Sequence, residues 1–287
     1  MTGVEMRTAT QPAPTPWEAT PTAEQAPATL AAEPMTIEFQ ASDGEELVGT
    51  YYPPSAVPAP AVVLMHWVRS DETDWSAVAP WLQNRSLILG EVVPAPSGQP
   101  WLDASWFPTI PPERGYAVFT FTFRNCQGGC RGFDPEGWLM DARAALQTAA
   151  GLPGVDPMRV AAVGASIGAD GAVDACAWLN SETTSARCLG ALSLSPGGYL
   201  GVPYAQAVEV LLQALDESGL PVSGEAVLCL ASEQDQDSAR ACASVTRDKY
   251  RAVMYTGRAH GMELIEPGRS PDVLQLMLDF LAQALGP

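Results

Sequence analysis

The sequence predicts an α/β protein built on a mostly parallel, doubly wound sheet that is covered by helices. Short apolar runs alternate along the chain with longer segments of helical periodicity, which is typical of successive β-α-β units. One apolar run, residues 160–163, leads directly into a sharp turn and then into a segment of small residues that suits a helix. The 287 residues are enough for one such domain with a large buried core.

The strands are predicted from the apolar runs. An opening β-hairpin joins residues 35–40 to residues 46–52 through the turn-forming sequence Ser42-Asp43-Gly44. Residues 61–65 include no polar side chain and therefore predict a fully buried strand. Further strands are expected at residues 116–123, 160–163, 189–195, 226–231 and 252–255.

Segments of helical periodicity connect these strands. The first helix is expected at residues 73–84, and its apolar face comprises Trp75, Val78, Trp81 and Leu82. An amphipathic helix at residues 273–285 closes the chain. Between these two, helices are expected at residues 136–150, 169–175, 204–215 and 238–247.

The first 34 residues predict a disordered tether that precedes the domain. Residues 10–34 are dense in Pro, Thr, Ala and Glu, and they show no apolar period that a fold would bury. Tethers of this kind often separate an export signal or a lipid anchor from a catalytic domain, and a plain terminal tail is the alternative. Residues 1–10 lack the apolar core of a signal peptide. Residues 35–287 are then the catalytic domain.

A long irregular segment, residues 85–115, interrupts the alternation of strands and helices. Loops of this length in a compact domain usually have a function. Trp101, Trp106 and Phe107 make the segment apolar, so one interpretation is a partial lid whose aromatic side chains bind substrate. The alternative, held equally, is that these aromatic residues pin the loop to the body of the domain.

The net charge of −18 argues against nucleic acid or an anionic membrane as a partner. We interpret the charge as a solvated acidic surface. The sequence has no apolar run close to the roughly 18 residues that a membrane span requires, so no transmembrane segment is predicted. The sequence does not predict an oligomeric state.

Six cysteines fall into three pairs that are close in sequence. They are Cys126 with Cys130, Cys176 with Cys188, and Cys229 with Cys242. An even count with local pairing fits disulfides in an oxidising compartment, and a secreted or cell-surface protein is therefore expected. The alternative is six reduced thiols buried separately in the core. No metal site is predicted, because neither histidine lies near a cysteine and C-x₃-C is poor spacing for zinc.

The sequence Gly164-Ala165-Ser166-Ile167-Gly168 predicts a serine nucleophile. A G-x-S-x-G segment between a buried strand and a helix forms a tight turn that lifts the serine hydroxyl above the sheet. The two glycines let the strand and the helix approach closely. The pentapeptide alone is a weak signal, because its residues are common, and its position between strand and helix gives it weight. An ordinary glycine-rich turn is the alternative.

A serine nucleophile needs a base, and the base needs an acid to orient it. The chain has two histidines. His260 lies in the loop after the last strand, and we predict it as the base because the order serine, acid, histidine is then satisfied. Asp235 is the predicted acid in the loop after residues 226–231, with Asp237 and then Glu233 as alternatives.

Two backbone N–H groups are expected to hold the oxyanion that forms during acyl transfer. One belongs to Ile167, which follows the nucleophile, and the other to Trp67, in the turn after the strand that ends at Met65. In this interpretation His66 has a structural role and holds that turn through hydrogen bonds.

These residues together resemble the α/β-hydrolase superfamily over nearly the whole chain outside the tether. Leu64-Met65-His66-Trp67 is similar to the family's His-Gly turn, and Asp74-Trp75 and Gly115-Tyr116-Ala117-Val118 are similar to its next segments. The absence of a separate cap domain resembles small serine esterases and the dienelactone-hydrolase-like branch. The chain departs from that pattern in two positions. Trp67 replaces a glycine in the oxyanion turn, and Ser166 stands where true dienelactone hydrolases have cysteine.

The resemblance implies a serine esterase with a Ser166–His260–Asp235 triad and a small-molecule or polymeric ester as substrate. No metal or organic cofactor is required for this chemistry. Hydrolysis of another acyl bond (polyester, thioester or peptide) is the first alternative. A catalytically silent binding protein on the same scaffold is the second.

Overall fold

The structure is a computed structural model that describes residues 33–85, 99–111, 114–219 and 224–286. Residues 1–32 of the predicted tether, and residues 86–98 and 112–113 of the predicted irregular loop, lie outside the described residues. The described residues contain one eight-stranded sheet. Its strands are β1 (Met35–Gln40), β2 (Glu46–Tyr52), β3 (Ala59–Met65), β4 (Ala117–Phe121), β5 (Val155–Ala165), β6 (Cys188–Leu194), β7 (Val227–Ser232) and β8 (Tyr250–Tyr255).

The strand order is β1-β2-β4-β3-β5-β6-β7-β8, and the predicted mostly parallel sheet is confirmed. Within these eight strands, β1 with β2 and β2 with β4 pair in the antiparallel sense, as expected for the opening hairpin, and the other neighbours are parallel. The chain adds β4 on one side of β3 and the strands β5 to β8 on the other. Open sheets of this kind place their ligands at the carboxyl ends of the strands, near the point where the winding changes direction.

Helices cover both faces of the sheet: α1 (Val78–Leu82), α2 (Pro135–Ala150), α3 (Ile167–Glu182), α4 (Tyr204–Ser218), α5 (Gln236–Ala243) and α6 (Val273–Leu285). Successive side chains of a strand point to opposite faces, so a strand covered on both sides is apolar throughout. In β3, Val63 belongs to the core cluster that contains residues of α2, α3 and α4, whereas Val62 and Leu64 belong to the cluster that contains residues of α1 and α6. This alternation is the physical basis of the doubly wound fold.

The predicted helix at residues 73–84 is wrong in its extent. The chain forms a 3₁₀ turn at Glu72–Trp75 and then, after a break, the short helix α1. Pro80 explains the break, because proline lacks the N–H that a continuous helix would need there and its ring clashes with the carbonyl four residues earlier. The apolar side chains expected on one face, Trp75, Val78, Trp81 and Leu82, are nevertheless all buried.

Three disulfides join the cysteines in the pairs close in sequence. Cys176 of α3 is bonded to Cys188 at the start of β6, and Cys229 of β7 is bonded to Cys242 of α5. The Cys126–Cys130 bond closes a small loop after β4. Within the described part of the chain, no helix combines the length and the apolar character that crossing a membrane would take.

Candidate active site

The backbone turns sharply at Ser166, between the end of β5 and the start of α3. Ser166 has a backbone φ of +53°, a conformation that residues other than glycine rarely adopt. A Cβ at Gly164 would lie 1.9 Å from the carbonyl oxygen of Gly168, and one at Gly168 would lie 2.3 Å from that of Met65. Neither glycine therefore tolerates a side chain, because the strand and the helix approach too closely there. The spacing of small residues around Ser166 follows from this contact.

Asp235, His260 and Ser166 form a continuous chain of hydrogen bonds. The Nδ1 atom of His260 lies 2.7 Å from Oδ2 of Asp235, and its Nε2 atom lies 2.9 Å from Oγ of Ser166. Three loops bring the residues together, since Ser166 follows β5, Asp235 follows β7 and His260 follows β8. With a proton on Nδ1 donated to the carboxylate, Nε2 is free to accept the proton of the serine hydroxyl.

The other two candidate acids lie away from the imidazole. Asp237 is exposed on α5 and forms an ion pair with Arg240. The Glu233 side chain is exposed as well, and its backbone N–H donates to the carbonyl of Tyr255. Among the three carboxylates of this loop, the structure gives a hydrogen bond to His260 only for Asp235.

Ile167 and Trp67, the residues predicted to bind an oxyanion, line one pocket with Ser166 and His260. Ile167 is the first residue of α3, so its N–H has no acceptor within the helix. The partial positive charge at the start of that helix also favours an anion at this point. Trp67 follows β3, and its ring is almost completely buried.

His66 fixes the turn that carries Trp67. Its Nε2 atom accepts a hydrogen bond from the Phe123 N–H at 3.0 Å, so its Nδ1 atom bears the proton and donates to the Trp67 carbonyl at 2.7 Å. Burial lowers the pKa of His66 to about 4, and the ring is therefore neutral at pH 7. Both ring nitrogens are thus engaged with the backbone, in agreement with a structural role.

The pocket at Ser166 has a volume of about 280 Å³ and mostly apolar walls. Besides the residues already placed there, its walls comprise Val68, Arg69, Phe133, Trp138 and Tyr199. Sequence reasoning did not identify these residues. A signal for Tyr199 was present, because it lies shortly after the run that forms β6 and therefore at the same edge of the sheet as Ser166. Phe133 lies two residues before α2 and Trp138 lies in its first turn, and no pattern in the sequence marked them in the same way.

The aromatic residues predicted to bind substrate lie elsewhere. Trp101 is buried edge-on against Trp67, with 5.4 Å between ring centroids, and its Nε1 donates to the carboxylate of Asp74. Phe107 packs against Trp81. Trp106 packs against the core cluster to which Trp81 belongs, which contains residues of α1 and α6. None of the three lines the pocket at Ser166. This placement fits the alternative interpretation, in which the aromatic residues pin the loop to the domain.

A second pocket of about 580 Å³ lies next to the first and shares Trp67 and Arg69 with it. Trp101 lines this second pocket, together with Arg258 and Glu263. Glu263 accepts a hydrogen bond from the backbone N–H of His260 and pairs with Arg69 at 3.0 Å. Within residues 33–85, 99–111, 114–219 and 224–286, no group of three or more His, Cys, Asp or Glu is arranged to hold a metal ion.

Solved structures with the same fold carry the names of hydrolases. An α/β hydrolase from Penicillium sp. sh18, GrgF, has a TM-score of 0.57 and 14% identity over 89% of this chain and 100% of its own. The dienelactone hydrolase from Anabaena variabilis has a TM-score of 0.56 and 15% identity over 88% and 98%. An esterase from Pyrobaculum calidifontis has a TM-score of 0.57 and 17% identity over 90% and 88%. No protein-family model matches the sequence, and no curated protein matches it either.

Proposed function

We propose that this chain, which has the α/β-hydrolase fold, is a serine hydrolase that cleaves carboxylic esters through an acyl-enzyme. The observation that carries the proposal is the unbroken hydrogen-bond path from Asp235 through His260 to Ser166. In a serine triad the carboxylate orients the histidine and the histidine takes the serine proton, and this path connects the three groups in those roles. Residues 35–287 are then a single catalytic domain.

In the proposed reaction, Oγ of Ser166 attacks the ester carbonyl while His260 Nε2 takes its proton. The negative charge that develops on the carbonyl oxygen is held by the N–H groups of Ile167 and Trp67. The C–O bond to the alcohol then breaks, and the imidazolium gives its proton to the leaving oxygen. Water repeats the sequence on the acyl-enzyme and releases the acid and the free serine.

Asp235 orients His260 and stabilises the imidazolium without taking up the proton itself. Its position at the N-cap of α5 fixes the carboxylate relative to the sheet, because β7 and α5 are joined by the Cys229–Cys242 disulfide. We therefore assign the base, the acid and the nucleophile to three loops. The sheet fixes the positions of these loops relative to one another, and the Cys229–Cys242 disulfide also fixes the loop of the acid.

The size and the apolar walls of the pocket favour a substrate ester with a short apolar group. A volume of about 280 Å³ is just below the usual range for a small-molecule site, and aromatic side chains form much of its lining. The names of two structural neighbours, an esterase and a dienelactone hydrolase, refer to cleavage of the same type of bond. The three disulfides support export to an oxidising compartment, and we propose a secreted or cell-surface location.

The experiment is a comparison of the wild-type protein with Ser166→Ala on p-nitrophenyl acetate and butyrate, beside a thioester, a peptide and a polyester. We expect ester hydrolysis by the wild type and a loss of several orders of magnitude in kcat for the variant. A fluorophosphonate probe should label the wild type at Ser166 and leave the variant unlabelled. Wild-type rates in the variant would exclude the mechanism, and a missing label on the wild type would favour the silent binding protein.

A further inference from the structure

Asp170 is a buried carboxylate that the proposed reaction does not use. It lies one turn into α3, four residues after Ser166, and its exposed fraction is 4%. Its two oxygens accept hydrogen bonds from the backbone N–H of Gly197, at 3.2 and 3.4 Å, and one of them accepts from the N–H of Tyr199 at 2.6 Å. A buried carboxylate is costly unless it is well hydrogen-bonded. Its partners here belong to the loop that follows β6.

That loop carries Tyr199 into the pocket at Ser166. The Tyr199 ring is half-buried, lines the pocket and meets the imidazole of His260 edge-on, with 6.2 Å between ring centroids. Besides Ser166, Tyr199 is therefore a wall residue whose side chain lies against the proposed base.

Gly197 makes room for this ring. A Cβ at Gly197 would lie 2.3 Å from Cζ of Tyr199 and 2.6 Å from its hydroxyl oxygen. The backbone of Gly197 does not have a positive φ, so alanine fits its conformation, and the three atoms nearest to the added methyl group all belong to the Tyr199 side chain. Gly197 and Asp170 thus both position the side chain of Tyr199. Gly197 leaves space for the ring, and Asp170 fixes the backbone of the loop that carries it.

We propose that Tyr199 limits the length of the substrate chain that the pocket accepts, and that Asp170 and Gly197 are its positioning residues. The inference rests on the proposed ester hydrolysis. The substrate class it implies is an ester with a short chain on the side of the ester group that faces Tyr199. Removing or displacing the ring should lengthen the pocket and also loosen the contact with His260.

Several ionisable side chains near Asp170 influence its protonation. Asp174 lies one turn further along α3, Tyr199 lies in the loop, and Tyr204 lies at the start of α4. Asp174 is paired with Arg143 at 2.8 Å. Burial, and then the charge of Asp174, raise the pKa of Asp170 to about 7, against the hydrogen bonds from the loop. Near neutral pH the loop is therefore held by a carboxylate that is close to gaining a proton.

The first test is a double-mutant cycle with Gly197→Ala and Tyr199→Ala. Two series of esters are compared, p-nitrophenyl esters from acetate to octanoate and acetates of alcohols from methanol to octanol. We expect Tyr199→Ala to raise the ratio of kcat/KM for the longest to the shortest member about tenfold or more in one series. Gly197→Ala should shift the ratio in the same series and direction, and should have no further effect when Tyr199 is already alanine.

The control for the glycine is Gly151→Ala. Gly151 follows α2 and has a negative φ, and the atom nearest to a Cβ added there is the Thr148 carbonyl oxygen, at an ordinary contact distance of 3.5 Å. The length ratio of this variant should equal that of the wild type. The inference is overturned if Gly197→Ala leaves the ratio unchanged, or if it has the same effect with and without the Tyr199 ring.

The second test compares Asp170→Asn with Asp174→Asn. An amide offers one acceptor oxygen in place of two and turns its own N–H groups toward the loop amides, so Asp170→Asn should shift the length ratio as Tyr199→Ala does. The wild-type ratio should change through pH 7, and the ratio of Asp170→Asn should not. Asp174→Asn removes the charge of a buried neighbour that has a different partner, so it should keep the wild-type ratio well above pH 7, where Asp170 is ionised in both proteins. The positioning role of Asp170 is overturned if Asp170→Asn has the same length ratio as the wild type and the same change of that ratio with pH.

Failure of this inference is distinct from failure of the proposed function. If the wild type hydrolyses no ester in either series, the proposed function fails. If the wild type hydrolyses esters and loses this activity in Ser166→Ala, but the variants at Gly197, Tyr199 and Asp170 keep its length preference, only the inference fails.

Discussion

The Nε2 atom of His260 lies 2.9 Å from Oγ of Ser166, although 94 positions separate the two residues along the chain. The sheet accounts for this contact. β5 and β8 are parallel members of one sheet, with β6 and β7 between them, so their carboxyl ends open at the same edge. The 3₁₀ helix Gly261–Ile265 follows His260 directly, and the Glu263 side chain in it accepts a hydrogen bond from the His260 backbone N–H.

Asp235 and Asp237 provide a test of which carboxylate orients the proposed base, His260. We expect Asp235→Asn to lower kcat by about 10⁴-fold, because an amide does not hold the imidazole in the tautomer that accepts the serine proton. Asp237→Asn should keep wild-type activity, because that carboxylate is exposed and paired with Arg240. Steady-state kinetics on p-nitrophenyl butyrate measure both. Equal losses in the two variants would contradict the assignment.

His66 should make the folded protein sensitive to acid. Burial lowers its pKa from 6.5 to about 4, so below pH 6.5 the unfolded chain binds a proton that the folded protein does not. The stability contributed by this group is present above pH 6.5 and is lost as the pH falls toward 4, by about 3 kcal/mol at most. His66→Gln keeps one donor and one acceptor but does not titrate.

Urea unfolding of the wild type and His66→Gln at pH 7 and pH 5 measures this effect. The variant should be less stable at pH 7, and the difference between the two proteins should shrink at pH 5. A difference that is independent of pH would show that His66 is not held neutral in the folded state.

Asp170 should have the opposite effect on the pH dependence of stability. Burial raises its pKa from 3.8 to about 7, so between these values the folded protein keeps a proton that the unfolded chain has lost. Stability contributed by this group therefore falls as the pH rises from about 4 to 7 and is constant above that range. The free energy of unfolding of Asp170→Asn minus that of the wild type should increase between pH 5 and pH 8, because the wild type loses stability over this interval and the variant does not. A relative value that falls over this interval would contradict the raised pKa.

The Cys229–Cys242 disulfide should affect activity as well as stability, because it encloses the loop of Asp235. Replacing both cysteines by alanine is expected to cost about 3 kcal/mol of stability, the value typical of a loop of this size. We expect kcat to fall at a temperature where the protein is still folded, since β7 and α5 are then free to move apart.

The Cys176–Cys188 disulfide is the matched control. It spans 12 positions, against 13 for Cys229–Cys242, and joins α3 to β6 at the end of the sheet away from the loops that carry the site. Its removal should lower the melting temperature by a similar amount and leave kcat unchanged. Thermal melts measure the loss of stability in both double variants, and steady-state kinetics measure their kcat. Similar losses of kcat in the two would argue that the effect is not local to Asp235.

The fold was predictable because its strands are marked by local patterns. The runs that form β3, β6 and β7 and the second half of β5 are mostly apolar, as strands buried on both faces must be, and their positions agree closely with the prediction. The helix at residues 73–84 was mispredicted because apolar periodicity outweighed the effect of Pro80 on the backbone. For the irregular loop, the aromatic residues Trp101, Trp106 and Phe107 were apolar enough for either of two roles, and their sequence carried no information on which surface they would meet.

By itself, the sequence determined the sharp turn at Ser166, because Gly164 and Gly168 mark a close approach of strand and helix that is encoded within five neighbouring residues. It also limited the histidine candidates for the proposed base to two. Only the tertiary structure decided which carboxylate meets His260, and that Tyr199 stands beside it on a loop held by Asp170. The reason is that backbone turns depend on local sterics, whereas contacts between loops depend on strand order and register, which no short segment encodes.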